Sequence, residues 1–356
     1  ELVTCSGNKA KHGSDMKEVG IIKNGAVLIE DGRIVRVGTT EELDKEVDFS
    51  TAELIDADEQ AVLPGFVDSH THFVFGGYRA DEFGWRLQGE SYLSIMEKGG
   101  GINATVTPTR AASVEDFVAV GKERLDTMLR FGVTTVEGKS GYGMDKDTEI
   151  RMLRAMKVLD ETHPVDVVRT FLGPHSVLPE WKGKEREFLN YMLTEVMPEV
   201  KKEDLAEFVD IFTETGVFNI EDSTYYLQEA KKLGFRLKVH ADEIAPNFGG
   251  AEMAVRCGAH SADHLLKASD EGIRLLAEGN TIATLLPLTA FCLKEPYAPA
   301  RKMIDAGCAV ALASDLNPGS CFSNSIPLLI ALGCIYMGMR IEEVVTALTL
   351  NGAAAV

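Results

Sequence analysis

Basic residues are in short supply: Lys and Arg total 36 against 55 Asp and Glu, a formal net charge of −19 at pH 7. A surface of that sign repels phosphate backbones and anionic headgroups over a Debye length, so neither nucleic acid nor a membrane is expected as a partner, and a small molecule is. Long apolar runs are missing as well. The stretch IPLLIALGCIYMGM (326–339) falls well short of the roughly 20 residues that span a bilayer, and no basic segment followed by an apolar one opens the chain, so neither a membrane span nor a signal peptide is expected. The six cysteines (Cys5, Cys257, Cys292, Cys308, Cys321 and Cys334) include no CxxC pair. That excludes a zinc ribbon or a disulfide scaffold and fits reduced thiols in a cytoplasmic protein. What the chain does have is length and apolar content: 356 residues at 45% hydrophobic, enough for one barrel-sized core and a small second unit.

Two grammars divide the chain. Residues 18–39, EVGIIKNGAVLIEDGRIVRVGT, show short β-branched runs broken by Asn-Gly and Asp-Gly, the signal of a small β meander. From Leu63 onward, apolar runs alternate with helical patterns. Strands are expected at 62–72, 132–138, 165–175, 207–214, 235–243, 259–265, 281–287 and 308–315. Between them lie helices with clear punctuation, such as the one capped by Ser113 and stopped by Gly132, with Phe117, Val118, Leu125, Met128 and Leu129 as its apolar stripe. Eight strands joined by helical crossovers predict a (β/α)8 TIM-like barrel over 61–356, with 1–60 as the N-terminal part of a small, incomplete β-sandwich domain; functional groups then sit at the carboxyl ends of the strands. The Gly-rich stretch KGGGINATVTP (98–108) lacks a GK[ST] ending and reads as a mobile active-site loop rather than a phosphate cradle. The chain ends in a helical pattern, IEEVVTALTLNGAAAV, which suggests a fragment whose small domain lacks its C-terminal strands.

The first barrel strand ends in HTH. Residues i and i+2 of a strand share a face, so His70 and His72 project side by side, a geometry that chelates a divalent ion. Other strands bring matching groups to the same rim: VHADE supplies His240 and Glu243, ADHL supplies His264, and ASDLNPG supplies Asp315. Imidazoles with a carboxylate suit Zn²⁺ or Fe²⁺ with an open position rather than the all-oxygen shell of Mg²⁺ or Ca²⁺. Such an ion brings the pKa of bound water from 15.7 down toward about 7, which points to hydrolysis. A second ion calls for a bridging group, commonly a carboxylated lysine ending strand four. That strand reads DIFTE and offers Glu214, while Lys139, after strand two, reads as a loop residue or a salt-bridge partner. One metal is therefore expected.

LPGFVDSHTH, HADE, the strand-six histidine and SDLNPGS together resemble the amidohydrolase superfamily. GGYRADEF, GESYLSIMEKGGGI, VEGKSGYG, FLGPH and HADEIAP, in that order and across nearly the whole chain, are similar to its imidazolonepropionase family. The resemblance implies hydrolysis of the cyclic amide of 4-imidazolone-5-propanoate to N-formimidoyl-L-glutamate by a metal-bound hydroxide, in histidine catabolism. It implies His70, His72, His240 and Asp315 as ligands of one Zn²⁺ or Fe²⁺ per chain, with Glu243, His264 and Asp315 as the catalytic proton-handling groups. It assigns Arg79 to the substrate carboxylate, which a planar guanidinium grips bidentately. It also places Tyr92, Tyr142 and His175 around the same ligand, with Asn317, Gly319 and Ser320 positioned to hydrogen-bond the ring, and implies a homodimer.

Two rival readings remain at the level of sequence. Deamination of a purine- or pyrimidine-like base uses a similar HADE and strand-six histidine, and release of ammonia separates it. A non-catalytic metal-binding barrel is the other, and retention of Glu243 and His264 speaks against it. Taken singly, Arg79 also reads as a surface salt bridge to Asp81 or Glu82, Tyr142 as an aromatic packed in a Gly-rich turn, and Asn-Pro-Gly as ordinary turn chemistry.

Overall fold

In the computed structural model, which describes residues 1–48, 50–90, 94, 95 and 98–356, the apolar runs of the long segment become parallel strands. These are β5 (Phe66–Thr71), β6 (Val133–Lys139), β7 (Asp166–Phe171), β8 (Phe208–Val209), β9 (Phe212–Thr213), β10 (Arg236–Ala241), β11 (Ser261–His264), β12 (Ile282–Leu285) and β13 (Val310–Leu312). They follow one another in sequence order around the sheet, with β9 pairing β10 beside β8. β8 and β9 are two halves of the fourth barrel strand, parted at Asp210–Ile211. All eight expected strands are present; seven are shorter than their apolar runs, because terminal residues leave the ladder to carry the site, while the second keeps seven residues one position later.

The barrel closes at its carboxyl end through a few specific bonds. His72 N–H donates to Leu316 O at 2.8 Å and Asp315 N–H to His70 O at 2.9 Å. The Asp68 carboxylate accepts the Ser314 N–H at 2.8 Å and its hydroxyl at 2.5 Å. Closure thus sets the histidine pair of the first strand against the aspartate after the eighth. The architecture is the TIM-like barrel, with helices packed around the sheet.

Helix 114–130 illustrates how sequence positions these layers. Ser113 accepts the Asp116 N–H while Asp116 accepts the Ser113 N–H, a complete capping box. Phe117, Gly121, Leu125 and Met128 face the core. Val118 and Leu129, expected on the same stripe, flank it instead, Leu129 being 37% exposed.

The Gly-rich stretch differs from expectation. Ile102–Ala111 is a helix beginning at Gly101, whose φ of 76° suits glycine. Glu82 Oε1 accepts the Gly101 N–H at 2.8 Å, and Thr105, Val106 and Thr109 are buried. Pro108 and the β-branched residues depress local helix propensity, and burial of one face overrides it. The C-terminal pattern forms two helices, Ile341–Leu348 and Leu350–Ala354, broken at Thr349.

Outside the barrel, β1 (Leu2–Val3) pairs with β2 (Ile21–Ile22), and β3 (Gly25–Glu30) with β4 (Arg33–Thr39), both antiparallel. Asp31 and Gly32 join β3 to β4 with φ of 50° and 74°, the left-handed pair that a tight hairpin turn needs. The expected meander is therefore two separate ribbons. Residues between β1 and β2 pack on the barrel: Met16 is fully buried in its core, its carbonyl accepts the Thr346 hydroxyl at 2.6 Å, and Gly13 N–H donates to Cys308 O at 3.0 Å. Among the described residues, no helix is long and apolar enough to cross a membrane, and all six cysteines are free.

Candidate metal centre

Five of the eight histidines converge at the carboxyl end of the barrel. His70 and His72 leave β5, His175 follows β7, His240 lies on β10 and His264 ends β11. The His70, His72 and Asp315 donor atoms lie within 4.8 Å of one another, as do those of His70, His240 and His264 and those of His72, His175 and His240. Nε2 of His70 and of His72 each stand 3.6 Å from Asp315 Oδ1, and the Nε2 atoms of His72 and His240 are 3.4 Å apart. The ring of His175 stacks on His72 at 4.7 Å and 5°, while its Nδ1 lies 3.1 Å from Gly141 O. The structure thus brings His175 and His264 into the imidazole cluster itself, closer than the sequence suggested.

This donor set fits a divalent cation. Burial first, and then neighbouring positive charge such as Lys139 for His70 and His175 for His72, holds these imidazoles well below the ordinary histidine range, so each offers a lone pair. His70 Nε2 is buried with no hydrogen-bond partner, an arrangement that costs about 1–3 kcal/mol unless something accepts that lone pair. A metal among the rings does so. The chain takes a metal cofactor.

Backbone conformation reinforces the case. His264 (φ 77°), Asp242 (50°) and Asp315 (53°) adopt the left-handed region without being glycine. Each such residue costs on the order of 1–3 kcal/mol, which the surrounding fold must overcome. The Asp315 carboxyl is pushed up to about 6 by burial, against the hydrogen bond from Thr289, whose hydroxyl donates to Oδ2 at 2.6 Å.

Below the rings lies a set of buried charges, of which sequence reasoning found only Lys139, as a salt-bridge partner. His70 Nδ1–H donates to Asp263 Oδ2 at 2.7 Å, and His240 Nδ1 is 3.0 Å from Asp210 Oδ2. Lys139 is the last residue of β6 rather than a loop residue, and its Nζ stands 2.8 Å from Glu137 Oε1, 2.8 Å from Asp210 Oδ2 and 3.7 Å from Asp263 Oδ2. Burial draws the ammonium pKa down, but the three carboxylates outweigh it and hold the group above the ordinary lysine range. A signal was available: VEGK, VDIF and SADH each set a charge inside a barrel strand, where a side chain can only point into the interior or under a helix.

Glu243 stands over the rings from the loop after β10. Its Oε1 is 3.7 Å from His264 Nδ1. Burial, and then the charges of Asp315, Glu214 and Glu295, raise its pKa well above the usual glutamate value, as a proton-transferring carboxyl requires. Glu214 holds this loop by accepting the N–H of Ile244 at 2.8 Å and of Ala245 at 3.2 Å.

Arg79 is 7% exposed rather than on the surface. Its Nε lies 3.1 Å from Glu82 Oε1, and Nη1 donates to Thr105 at 2.9 Å. It lies against Gly319, whose carbonyl accepts Arg86 Nη2 at 2.6 Å. Asn317 uses its amide on its own loop: Nδ2 donates to Asp315 O at 2.8 Å and Oδ1 accepts the N–H of Gly319 at 2.9 Å and of Ser320 at 2.7 Å. Tyr142 is buried beside His175 with ring centroids 5.1 Å apart. Tyr92 lies outside the described residues.

Residues 61–356 match the amidohydrolase family, and residues 25–45 match an imidazolonepropionase-like composite domain of bacteria. An imidazolonepropionase of Parabacteroides distasonis is 58% identical over 356 residues, covering 100% of this chain and 85% of the relative. One from Clostridium tetani is 54% identical with the same coverage. Among solved structures, guanine deaminase from C. acetobutylicum with bound guanine superposes with a TM-score of 0.68 at 15% identity, covering 98% of this chain and 85% of that one. An atrazine chlorohydrolase from Arthrobacter aurescens complexed with zinc gives 0.67 at 15%, covering 100% and 83%. At that identity these two establish shared fold alone. The barrel, the buried imidazole cluster and the matches over the full chain lead to one conclusion: this chain belongs to the amidohydrolase family and, within it, to the imidazolonepropionases.

Proposed function

We propose that the chain hydrolyses 4-imidazolone-5-propanoate to N-formimidoyl-L-glutamate, a step of histidine catabolism, with His70, His72, His240 and Asp315 holding one Zn²⁺ or Fe²⁺. The observation that carries this reading is the buried cluster in which His70, His72 and Asp315 form one donor group and His240 joins His70 and His264 in a second, beside Glu243, in a chain 58% identical to a named imidazolonepropionase. A bound divalent ion supplies Lewis-acid chemistry, acidifying water and polarising the ring carbonyl.

The protein's own groups do the rest. Glu243 accepts the proton of the attacking water and returns one to the ring nitrogen as the carbon–nitrogen bond breaks, a role suited to a carboxyl whose pKa burial has raised. Asp315, beside the same water, shares in orienting and deprotonating it. His264, kept neutral first by burial, hydrogen-bonds the oxyanion that develops on the former carbonyl. Arg79 grips the propionate; Tyr142 and His175 flank the ligand, and Asn317, Gly319 and Ser320 form the edge that meets the ring. Asn317 does so by fixing the loop that presents Gly319 and Ser320.

The deaminase reading is weaker, because Arg79 gives the site a buried cation suited to an aliphatic carboxylate and the full-length relatives carry the imidazolonepropionase name. The proposal also includes a cytoplasmic homodimer, built from a small β unit over 1–60 and the barrel over 61–356. The family match from residue 61 and the separate β3–β4 ribbon support that division. Assay of the purified protein with imidazolone propionate tests the function. Formimidoylglutamate without ammonia supports it, and ammonia release from a neutral base at comparable rate overturns it.

A further inference from the structure

The buried charges under the imidazole cluster do not touch the substrate side, and the reaction scheme leaves them without a task. Five ionisable side chains fill this layer, all with fully buried side chains: Glu137 and Lys139 on β6, Asp210 in the break of the fourth strand, Lys238 on β10 and Asp263 on β11. Glu137 and Lys139 share a strand face, which turns both inward. A fully buried ion pair replaced by apolar residues is often neutral or stabilising, so stability alone does not explain why five charges are held here.

Their arrangement does. The Asp210 carboxylate oxygen that faces His240 Nδ1 at 3.0 Å is the one that meets Lys139 Nζ at 2.8 Å. The Asp263 oxygen that receives His70 Nδ1–H at 2.7 Å is likewise the one nearest Lys139, at 3.7 Å. Lys139 is held from its other side by Glu137 at 2.8 Å, and Glu137 is in turn fixed by the Thr170 hydroxyl and lies 3.6 Å from Lys238. Lys238 anchors to the carbonyl of Ala355 at 2.8 Å. One ammonium therefore links the carboxylates behind two rings that leave different strands, β5 and β10.

We propose that Lys139 is a positioning residue for the metal site. By holding Asp210 and Asp263 in one fixed geometry, it keeps Nδ1 of both His70 and His240 pointed at a carboxylate, so that Nε2 of both rings faces the common centre. The inference rests on the metal reading above. It makes a prediction whose sign separates positioning from plain electrostatics. Removing a positive charge near a cation site strengthens cation binding through the field alone, whereas removing the group that orients two ligands weakens it, typically 10- to 100-fold for such outer partners.

The test compares wild type with Lys139→Met and with Lys139→Met/Glu137→Gln, the double variant keeping the net charge of the layer unchanged should the single variant not fold. Zn²⁺ affinity is measured by chelator competition, and imidazole N–H resonances are recorded on metal-free protein labelled with ¹⁵N-histidine. The expected result is a Zn²⁺ affinity at least about tenfold lower in the folded variant, with loss or exchange broadening of the downfield Nδ1–H signal of His70 and of the Nδ1–H signal of His240. Affinity equal to or tighter than wild type, with both signals intact, overturns the proposal and leaves the metal reading standing. Failure of wild type itself to bind Zn²⁺ or Fe²⁺ overturns the metal reading and this proposal with it.

Discussion

Gly319 and Arg79 are packed so closely that a β-carbon on the glycine would lie 1.8 Å from Nη2 and 2.1 Å from Cζ of the guanidinium. Glycine is needed here for close approach, since Gly319 is not among the residues with positive φ. Gly319→Ala is expected to push Arg79 from its place between Thr105 and Glu82 and to raise KM for imidazolone propionate.

Under the role proposed for Arg79, Arg79→Met removes the carboxylate clamp directly. Charged hydrogen bonds contribute roughly 1.5–3 kcal/mol, so KM rises on the order of 10- to 100-fold with a smaller change in kcat. The two substitutions act through one group and are not additive: in the Arg79→Met background, Gly319→Ala adds little. Steady-state kinetics on the four proteins check this, and full additivity or an unaltered KM in Arg79→Met dismisses the clamp.

Glu243→Gln keeps the shape of the side chain and removes its proton chemistry. Turnover falls on the order of a hundredfold or more, while metal content stays as in wild type. The pH profile carries the sign. A base works ionised, and burial has raised the Glu243 pKa, so kcat/KM climbs with pH along a limb displaced above the ordinary glutamate range. That limb disappears in Glu243→Gln. A limb that survives the substitution belongs to another group and removes Glu243 from the role.

Much of this was readable from residue order. The HTH pair, His240, Glu243, His264 and Asp315 all sit at ends of apolar runs, and barrel topology sends such ends to one rim. What escaped was either non-local or locally disfavoured. Nothing near Lys139 in sequence shows that Asp210 and Asp263 meet it, because those contacts cross the barrel interior between strands 71 and 124 residues away. The helix at Ile102–Ala111 was hidden by Pro108 and its threonines, whose low propensity is overridden by burial of Thr105 and Thr109. The stacking of His175 on His72 depends on the bend after β7, which has no pattern of its own.

The cysteines give a prediction independent of activity. Cys292 is half-buried, and the hydrogen bond from the Cys321 thiol lowers its pKa. Burial pushes the Cys308 thiol up to about 11, and Cys321 is fully buried with its pKa raised by its partner Cys292. Thiolates are the reactive form, so brief iodoacetamide treatment at pH 8 followed by peptide mass mapping finds Cys292 labelled well before Cys308 and Cys321. Equal labelling of Cys308 contradicts the packing around β13.

The cation among the imidazoles is the centre of the proposed chemistry. Purified protein is stripped with a chelator, titrated with Zn²⁺ or Fe²⁺, and assayed for turnover of imidazolone propionate with elemental analysis at each step. Turnover is expected to vanish on stripping and to return in proportion to bound metal, levelling off at about one ion per chain, as a single set of imidazole and carboxylate ligands requires. Turnover that persists undiminished in protein shown to contain no metal contradicts the proposed chemistry.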